Sequence, residues 1–291
     1  MKTILVPTDF SPSVTNALQS AMIISKSTGA KIILMNNVRT LFTKWESLSE
    51  IEKHQHPEVL QQGSEALDRL NALTQHDSFK NNHIEKLITY GVTCDEIIRA
   101  AKKYNADIIV MASHGKTELG RDFIGSNIQK VIREAKCPVL TVSKEKANQE
   151  WRKILLPDSL NFDISVPFAK IKRIAQDLNS TIQLLYVNTP GNFLDTDTIH
   201  RRMTAFQQKY PELQFENVTY NNTDIEKGIL QFIKNEKPDC VAMITYDHMK
   251  HPKYLLSLTE SVVYHSDIPV LTIAVNSSEI EAHVKLDMAS V

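Results

Sequence analysis

Thr3-Ile4-Leu5-Val6-Pro7-Thr8-Asp9-Phe10-Ser11-Pro12 decides how the rest of the chain is read. Thr3 to Val6 is a short apolar run of strand length, and Pro7 stops it. Ser11 followed by Pro12 reads as a helix start, an N-cap with proline at the first helical position. Val14, Ala17, Leu18, Ala21 and Met22 then recur at helical spacing, and Gly29 closes the helix.

Working outward, strands and helices keep alternating. Ile32 to Met35 is the next apolar run, and Arg39 to His56 is polar with no clear period. Leu60, Leu67, Leu70 and Leu73 mark a second helix, and Leu87 and Ile88 a third strand. Thr93 and Glu96 have the spacing of a capping box before Ile97, Ile98 and Ala101. Ile108 to Met111 is continuous and β-branched, as in a strand covered on both faces. Ile128, Val131, Ile132 and Ala135 give a last helix face, and Pro138 to Val142 a fifth strand. The order βαβαβαβαβ predicts an α/β fold, a parallel open sheet with helices on both faces.

The pattern then restarts. Lys153-Ile154-Leu155-Leu156-Pro157 repeats the character of the opening, and Thr181 to Val187 lies where Lys31 to Asn37 lay. Pro238 to Met243 echoes Ala106 to Met111, and Ile268 to Thr272 echoes Cys137 to Thr141. Four segments recurring in order at nearly constant offset predict two similar domains, 1–145 and 151–276, with a polar joint over 144–150. The tail, 277–291, carries no clear pattern.

The 291 residues suit two average domains. With 33 basic and 34 acidic side chains the formal charge is -1, which favours neither a nucleic-acid nor a membrane-surface partner. Cys94, Cys137 and Cys240 are far apart and form no CxxC pair, as expected of small buried residues in a reducing compartment. No apolar run reaches the ~18 residues of a membrane span, and the N-terminus has no signal-peptide pattern. A cytoplasmic location is expected.

In an open parallel sheet, ligands bind at the carboxyl ends of the strands, where the strand order reverses. Three such ends matter: Pro7-Thr8-Asp9, Asn36-Asn37, and Met111-Ala112-Ser113-His114-Gly115, which leads on to Gly125-Ser126-Asn127. Ser126 is expected to cap the last helix, whose free N–H groups and positive dipole end would face a docked anion. Gly125 would let an oxygen approach the backbone, and Gly115 would let the loop turn with positive φ. Together they describe a phosphate cradle of backbone donors, although a Gly-Ser helix start alone reads as a plain cap. The Asp9 carboxylate could accept from an adenine amino group or ribose hydroxyls, or simply form an Asx turn or a helix N-cap.

Taken together these residues resemble the universal stress protein family. Ile4-Leu5-Val6-Pro7-Thr8-Asp9-Phe10-Ser11 is close to its opening, and Cys137-Pro138-Val139-Leu140 to its close. The family's nucleotide motif is glycine, two residues, glycine, nine residues, then glycine and serine or threonine. Here it reads Ala112, Ser113-His114, Gly115, Lys116 to Ile124, Gly125-Ser126, so alanine stands for the first glycine. The resemblance covers 1–145 strongly and 151–276 weakly. It implies the five-stranded, adenine nucleotide alpha hydrolase-like fold, and ATP or another adenine nucleotide as ligand, with Mg as a companion to weigh. The implied nucleotide-binding set is Pro7, Thr8, Asp9, Asn37, Met111, Ala112, His114, Gly115, Gly125, Ser126 and Asn127. Asp9 and the backbone near Asn37 would hold the adenosine, and Gly115, Gly125, Ser126 and Asn127 the phosphates. An extra methyl at Ala112 would crowd the ligand unless its φ is negative.

The second half departs from this pattern. Asp158-Ser159 replaces Thr8-Asp9, Ile244-Thr245-Tyr246-Asp247 replaces Ala112 to Gly115, and Leu256-Ser257 replaces Gly125-Ser126. Asp247 would put a negative charge beside the phosphates, so this half is expected to bind no nucleotide in the family mode. Ser257 and Glu260 still make a capping box. Gly115-Lys116-Thr117 ends like a P-loop, but Val110 stands where that motif needs glycine. The histidine pairs His54/His56 and His248/His251 lack further ligands at a familiar metal spacing.

No catalytic base, metal carboxylate pair or arginine clamp stands out. The leading expectation is a nucleotide-binding stress or signalling module. A slow ATPase and a scaffold that binds no nucleotide are the rivals. Members of the family commonly pair through their last strands. A tandem chain would build that pairing internally, with Val139 to Val142 facing Val270 to Ile273, and a homodimer of whole chains would add to it.

Overall fold

A computed structural model describes residues 1–40, 45–76, 79, 83–113, 125–143, 150–246 and 257–275. The first half runs β1 (Thr3–Thr8), α1 (Val14–Thr28), β2 (Lys31–Arg39), α2 (Glu50–His54), α3 (Pro57–Gln75) and β3 (Ile84–Gly91). It continues with α4 (Thr93–Lys103), β4 (Ile108–Ala112), α5 (Ser126–Glu134) and β5 (Val139–Val142). The second half runs β6 (Lys153–Pro157), α6 (Ser165–Leu178), β7 (Thr181–Asn188), α7 (Thr196–Gln208) and β8 (Phe215–Asn221). It ends with α8 (Ile225–Glu236), β9 (Cys240–Tyr246), α9 (Leu258–His265) and β10 (Val270–Val275).

All ten strands share one sheet in the order β3-β2-β1-β4-β5-β10-β9-β6-β7-β8. Each half therefore has the same internal order, and every pairing within a half is parallel. The halves meet antiparallel, with Thr141 opposite Val270, Leu140 opposite Leu271 and Val139 opposite Thr272. Thr141 Oγ1 donates to the Val270 carbonyl at 3.2 Å and Thr272 Oγ1 to the Val139 carbonyl at 3.1 Å, so these buried hydroxyls are satisfied across the seam.

The central strands are buried on both faces because helices cover both, which is why they read as unbroken apolar runs. One core holds Ile4, Val6, Leu18 and Ile24 of the first half together with Ile154, Leu156, Phe168 and Ile171 of the second. The opposite face gathers Leu5, Ile109, Ile97 and Val131 with Leu155, Val241 and Phe232. Both cores cross the seam. So do two ion pairs: Arg173 with Asp107 at 2.8 Å, and Arg133 with the buried Glu260 at 2.5 Å.

One polar clamp occurs twice. Asp107 Oδ2 accepts from the N–H groups of Lys2 and Thr3, and Asp239 Oδ2 from those of Arg152 and Lys153. In each half a carboxylate just before the fourth strand thus holds the start of the first strand.

Several local expectations need correction. The first helix begins at Val14, because Ser11 and Pro12 enter a turn in which Val14 N–H donates to the Ser11 carbonyl. The Thr93–Glu96 capping box is absent. Thr93 Oγ1 instead accepts from Asn37 Nδ2 at 3.2 Å, and the Glu96 carboxylate pairs with Arg99. On α3 the buried stripe is Val59, Gly63, Ala66 and Leu70, while Leu67 is exposed. The stretch read as aperiodic contains a 3-10 turn, Trp45–Ser47, and α2, which Ser49 and Glu52 close with a capping box. The joint at 144–149 and the tail at 276–291 lie outside the described residues.

Candidate functional site

In the first half the strand order reverses between β1 and β4, whose neighbours lie on opposite sides. A cavity of about 200 Å³ opens at the carboxyl ends of those strands, the place where this topology puts ligands. It gathers Pro7 and Thr8 at the end of β1, Asp9 just after it, Asn37 on β2, Met111 and Ala112 on β4, and Gly125, Ser126 and Asn127 at the start of α5. His114 and Gly115 lie outside the described residues.

The loop after β1 is held by its own side chains. Thr8 Oγ1 accepts from Phe10 N–H at 2.9 Å, and Asp9 Oδ1 from Ser11 N–H at 2.8 Å. The second bond is the Asx turn that the sequence allowed. Asn36 Nδ2 donates to the Thr8 carbonyl at 2.7 Å and ties the loop to β2. Phe10 sits at φ 62, a conformation that a bulky side chain adopts at a cost of order 1–3 kcal/mol. The Arg69 guanidinium lies 4.1 Å from its ring centre and helps to hold it there. Strain of this kind gathers where a loop must present its backbone in a fixed way.

Asn37 is fixed rather than free. Its Nδ2 donates to the Gly91 carbonyl and Thr93 Oγ1, and its Oδ1 accepts from Thr89. Its place in the wall is therefore set before any ligand arrives. Ala112 ends β4 in ordinary strand backbone and is not among the positive-φ residues, so no conformational demand is broken by its methyl group.

At α5 the expected cap is corrected. Gly125 is the N-cap, Ser126 is the first helical residue, and no side chain caps the turn. Gly125 has φ -54, and a Cβ there would meet nothing within 4 Å. Neither conformation nor packing within the described residues requires glycine here. What the bare position offers is open access to the N–H groups of the first turn, at the positive end of the helix.

The second half answers this differently. Ser257 caps α9, its N–H donates to Glu260 Oε2 at 2.9 Å, and Glu260 N–H donates back to Ser257 Oγ. The Glu260 carboxylate is 1% exposed and also meets Arg133. The helix end that would face a phosphate carries its own anion. Asp247 and Leu256 lie outside the described residues.

Sequence reasoning missed the apolar walls, Val14, Met35, Ile97 and Ile128, and the hydroxyl of Thr93. The four apolar residues carry no signal beyond ordinary core periodicity. Thr93 was visible only as a cap.

An open parallel α/β sheet with its cavity at the reversal point, facing a helix start that no side chain caps, is the ligand-binding arrangement of the doubly wound α/β class. The family model for the universal stress protein family matches residues 1–143. Universal stress protein MJ0531 of Methanocaldococcus jannaschii is 36% identical over 152 residues, covering 50% of this chain and 84% of that protein. Universal stress protein MJ0577 of the same organism is 26% identical over 160 residues, covering 50% of this chain and 97% of that protein. The chain belongs to the universal stress protein family. A universal stress protein from Archaeoglobus fulgidus shares the fold at TM-score 0.70 and 19% identity, over 94% of this chain and 98% of that one. Among the described residues no helix is long and apolar enough to cross a membrane.

Proposed function

We propose that the chain is a cytoplasmic stress-response or signalling module that binds ATP or another adenine nucleotide in its first half only. In this reading 1–145 and 151–276 are two universal stress domains joined as an internal pseudo-dimer through β5 and β10. Asp9 and the wall around Asn37 and Thr93 receive the adenosine. The first-turn N–H groups after Gly125 receive the phosphates. Mg would arrive with the phosphates rather than bind a preformed carboxylate cage.

The observation that carries this reading is the contrast between the two helix starts. That of α5 is bare, glycine-led and turned towards the same cavity as Asp9, while that of α9 is closed by Glu260. A backbone cradle of this kind binds anions without a basic side chain.

The test is titration of the full chain with ATP, adenosine and tripolyphosphate, followed by calorimetry and by amide shifts. ATP should bind more tightly than either fragment and shift the amides of Ser126 and Asn127. Binding that leaves those amides unmoved, or no binding, refutes the proposal.

A further inference from the structure

The second half has a cavity at the matching place, and its chemistry differs. About 330 Å³ opens at the carboxyl ends of β6, β7 and β9, against about 200 Å³ in the first half. Three features point to what it takes.

The first is a carboxylate where the first half has a hydroxyl. Leu160 N–H donates to Asp158 Oδ1 at 2.7 Å, as Phe10 N–H does to Thr8 Oγ1, and Leu160 repeats the positive φ of Phe10. Asp158 thus replaces Thr8 in space and lines the cavity. Among the described residues no basic side chain pairs with it. Burial pushes its carboxyl up to about 6 against the pull of the Leu160 N–H, so it is mostly ionised at neutral pH. A carboxylate accepting one hydrogen bond has acceptor capacity to spare.

The second is the closed helix start of α9, where the Glu260 carboxylate already accepts from Ser257 N–H. The capping box takes two donors of that helix start, the N–H groups of Ser257 and Glu260, and a phosphate in this cavity would also meet the Asp158 carboxylate. The third is the mouth. Ile225 and Leu258 line it, and the exposed Phe162 and Phe193 flank Asn161 and Asn192 of its wall.

Among the described residues, four charged groups near this end of the sheet are engaged elsewhere. From α7 Arg202 donates to the Ser159 carbonyl and to Asn161, and before α6 Asp163 pairs with Lys209. From α8 Glu226 accepts from Ser261, and from α9 Glu260 meets Arg133.

We propose that this cavity is a second ligand site, for a small organic cation: an amine carried on an apolar body. The amine donates to Asp158 and the body packs on Ile225, Ile229 and Leu258. The site shares no residue with the nucleotide cavity, so it stands or falls separately from that reading.

Three probes of one shape test it on the full chain near neutral pH: phenethylamine, phenethyl alcohol and hydrocinnamate, followed by calorimetry and ligand-observed NMR. The amine should bind about tenfold more tightly than the alcohol, a difference of about 1.4 kcal/mol, and the acid more weakly than either. Asp158→Asn should bring the amine down to the level of the alcohol. Ile225→Lys, at the exposed mouth, should weaken both through lost packing and the amine further through like charge, so that the amine's preference over the alcohol shrinks. Saturating ATP should leave the amine titration unchanged. Equal binding of amine and alcohol by the wild type overturns the proposal. So does a preference for the amine that survives both substitutions, or the absence of amine binding.

Discussion

Gly125→Asp separates a binding role from a folding role at one position. Gly125 is the N-cap of α5, at φ -54, and among the described residues nothing lies within 4 Å of where a Cβ would stand. Aspartate is a better N-cap than glycine by a few tenths of a kcal/mol, and a negative charge at a helix start adds about 0.3–1 kcal/mol. The variant should therefore be more stable than the wild type by about 0.5–1 kcal/mol in urea denaturation. The same carboxylate stands where the phosphates are proposed to dock. At ~4 Å and an effective dielectric of ~20 the repulsion is about 4 kcal/mol. Gly125 is exposed, so screening brings this to about 2 kcal/mol, or about a thirtyfold loss of ATP affinity by calorimetry. Gly125→Asn keeps the cap and adds no charge, and it should retain most of the binding. Unchanged ATP affinity in Gly125→Asp would refute the cradle. Equal loss in the asparagine variant would show crowding rather than charge. Destabilisation would show that glycine is needed for the fold.

Arg133→Ala should cost about 1–2 kcal/mol in urea denaturation. It strips the buried Glu260 of its cation, and the half-exposed guanidinium lowers the usual ~3–5 kcal/mol for breaking a buried pair; an unchanged midpoint would show that the pair contributes nothing. Burial alone would raise the carboxyl of Asp107, but the N–H groups of Lys2 and Thr3, with Arg173, outweigh it and hold the group below its ordinary value. A depressed folded value stabilises above the unfolded value of ~3.9 and is lost as pH falls through the folded value. Asp107→Asn should therefore lose stability at neutral pH and converge with the wild type in acid; parallel pH curves would contradict this. Gly63→Ala puts a Cβ 2.2 Å from Tyr90 Oη, whose ring packs on Trp45 at 5.3 Å. A loss of about 1–2 kcal/mol is expected, partly relieved by Tyr90→Phe, and a stabilised Gly63→Ala would refute the close packing.

The sheet was legible because its evidence is periodic. Ile108 to Met111 and Cys240 to Met243 are apolar without a break, and only a strand covered on both faces asks for that. The candidate site was legible in part, because glycine and aspartate stand out at strand ends. What escaped was side-chain competition. Thr93 and Glu96 have the spacing of a capping box, but Asn37 and Arg99 claim them. Leu67 has the right type for a core face, yet the helix is phased by Gly63 beneath Tyr90 and buries Ala66 instead. Helix spacing fixes a face only to within about one residue, and the partner element decides between neighbours.

The two halves show how little separates an open anion site from a closed one. The backbone geometry is common to both: a first strand, a tight loop with a positive-φ residue, and a helix starting across the gap. In the first half the loop offers the Thr8 hydroxyl and the helix offers bare N–H groups. In the second the loop offers the Asp158 carboxylate and the helix is closed by Glu260. Both differences run in one electrostatic direction, and they underlie the proposals of an anion in the first cavity and a cation in the second. Glu260 is also the residue that meets Arg133, on the last turn of the helix whose first turn faces the proposed nucleotide cavity. The charge that closes one site therefore anchors the helix that serves the other.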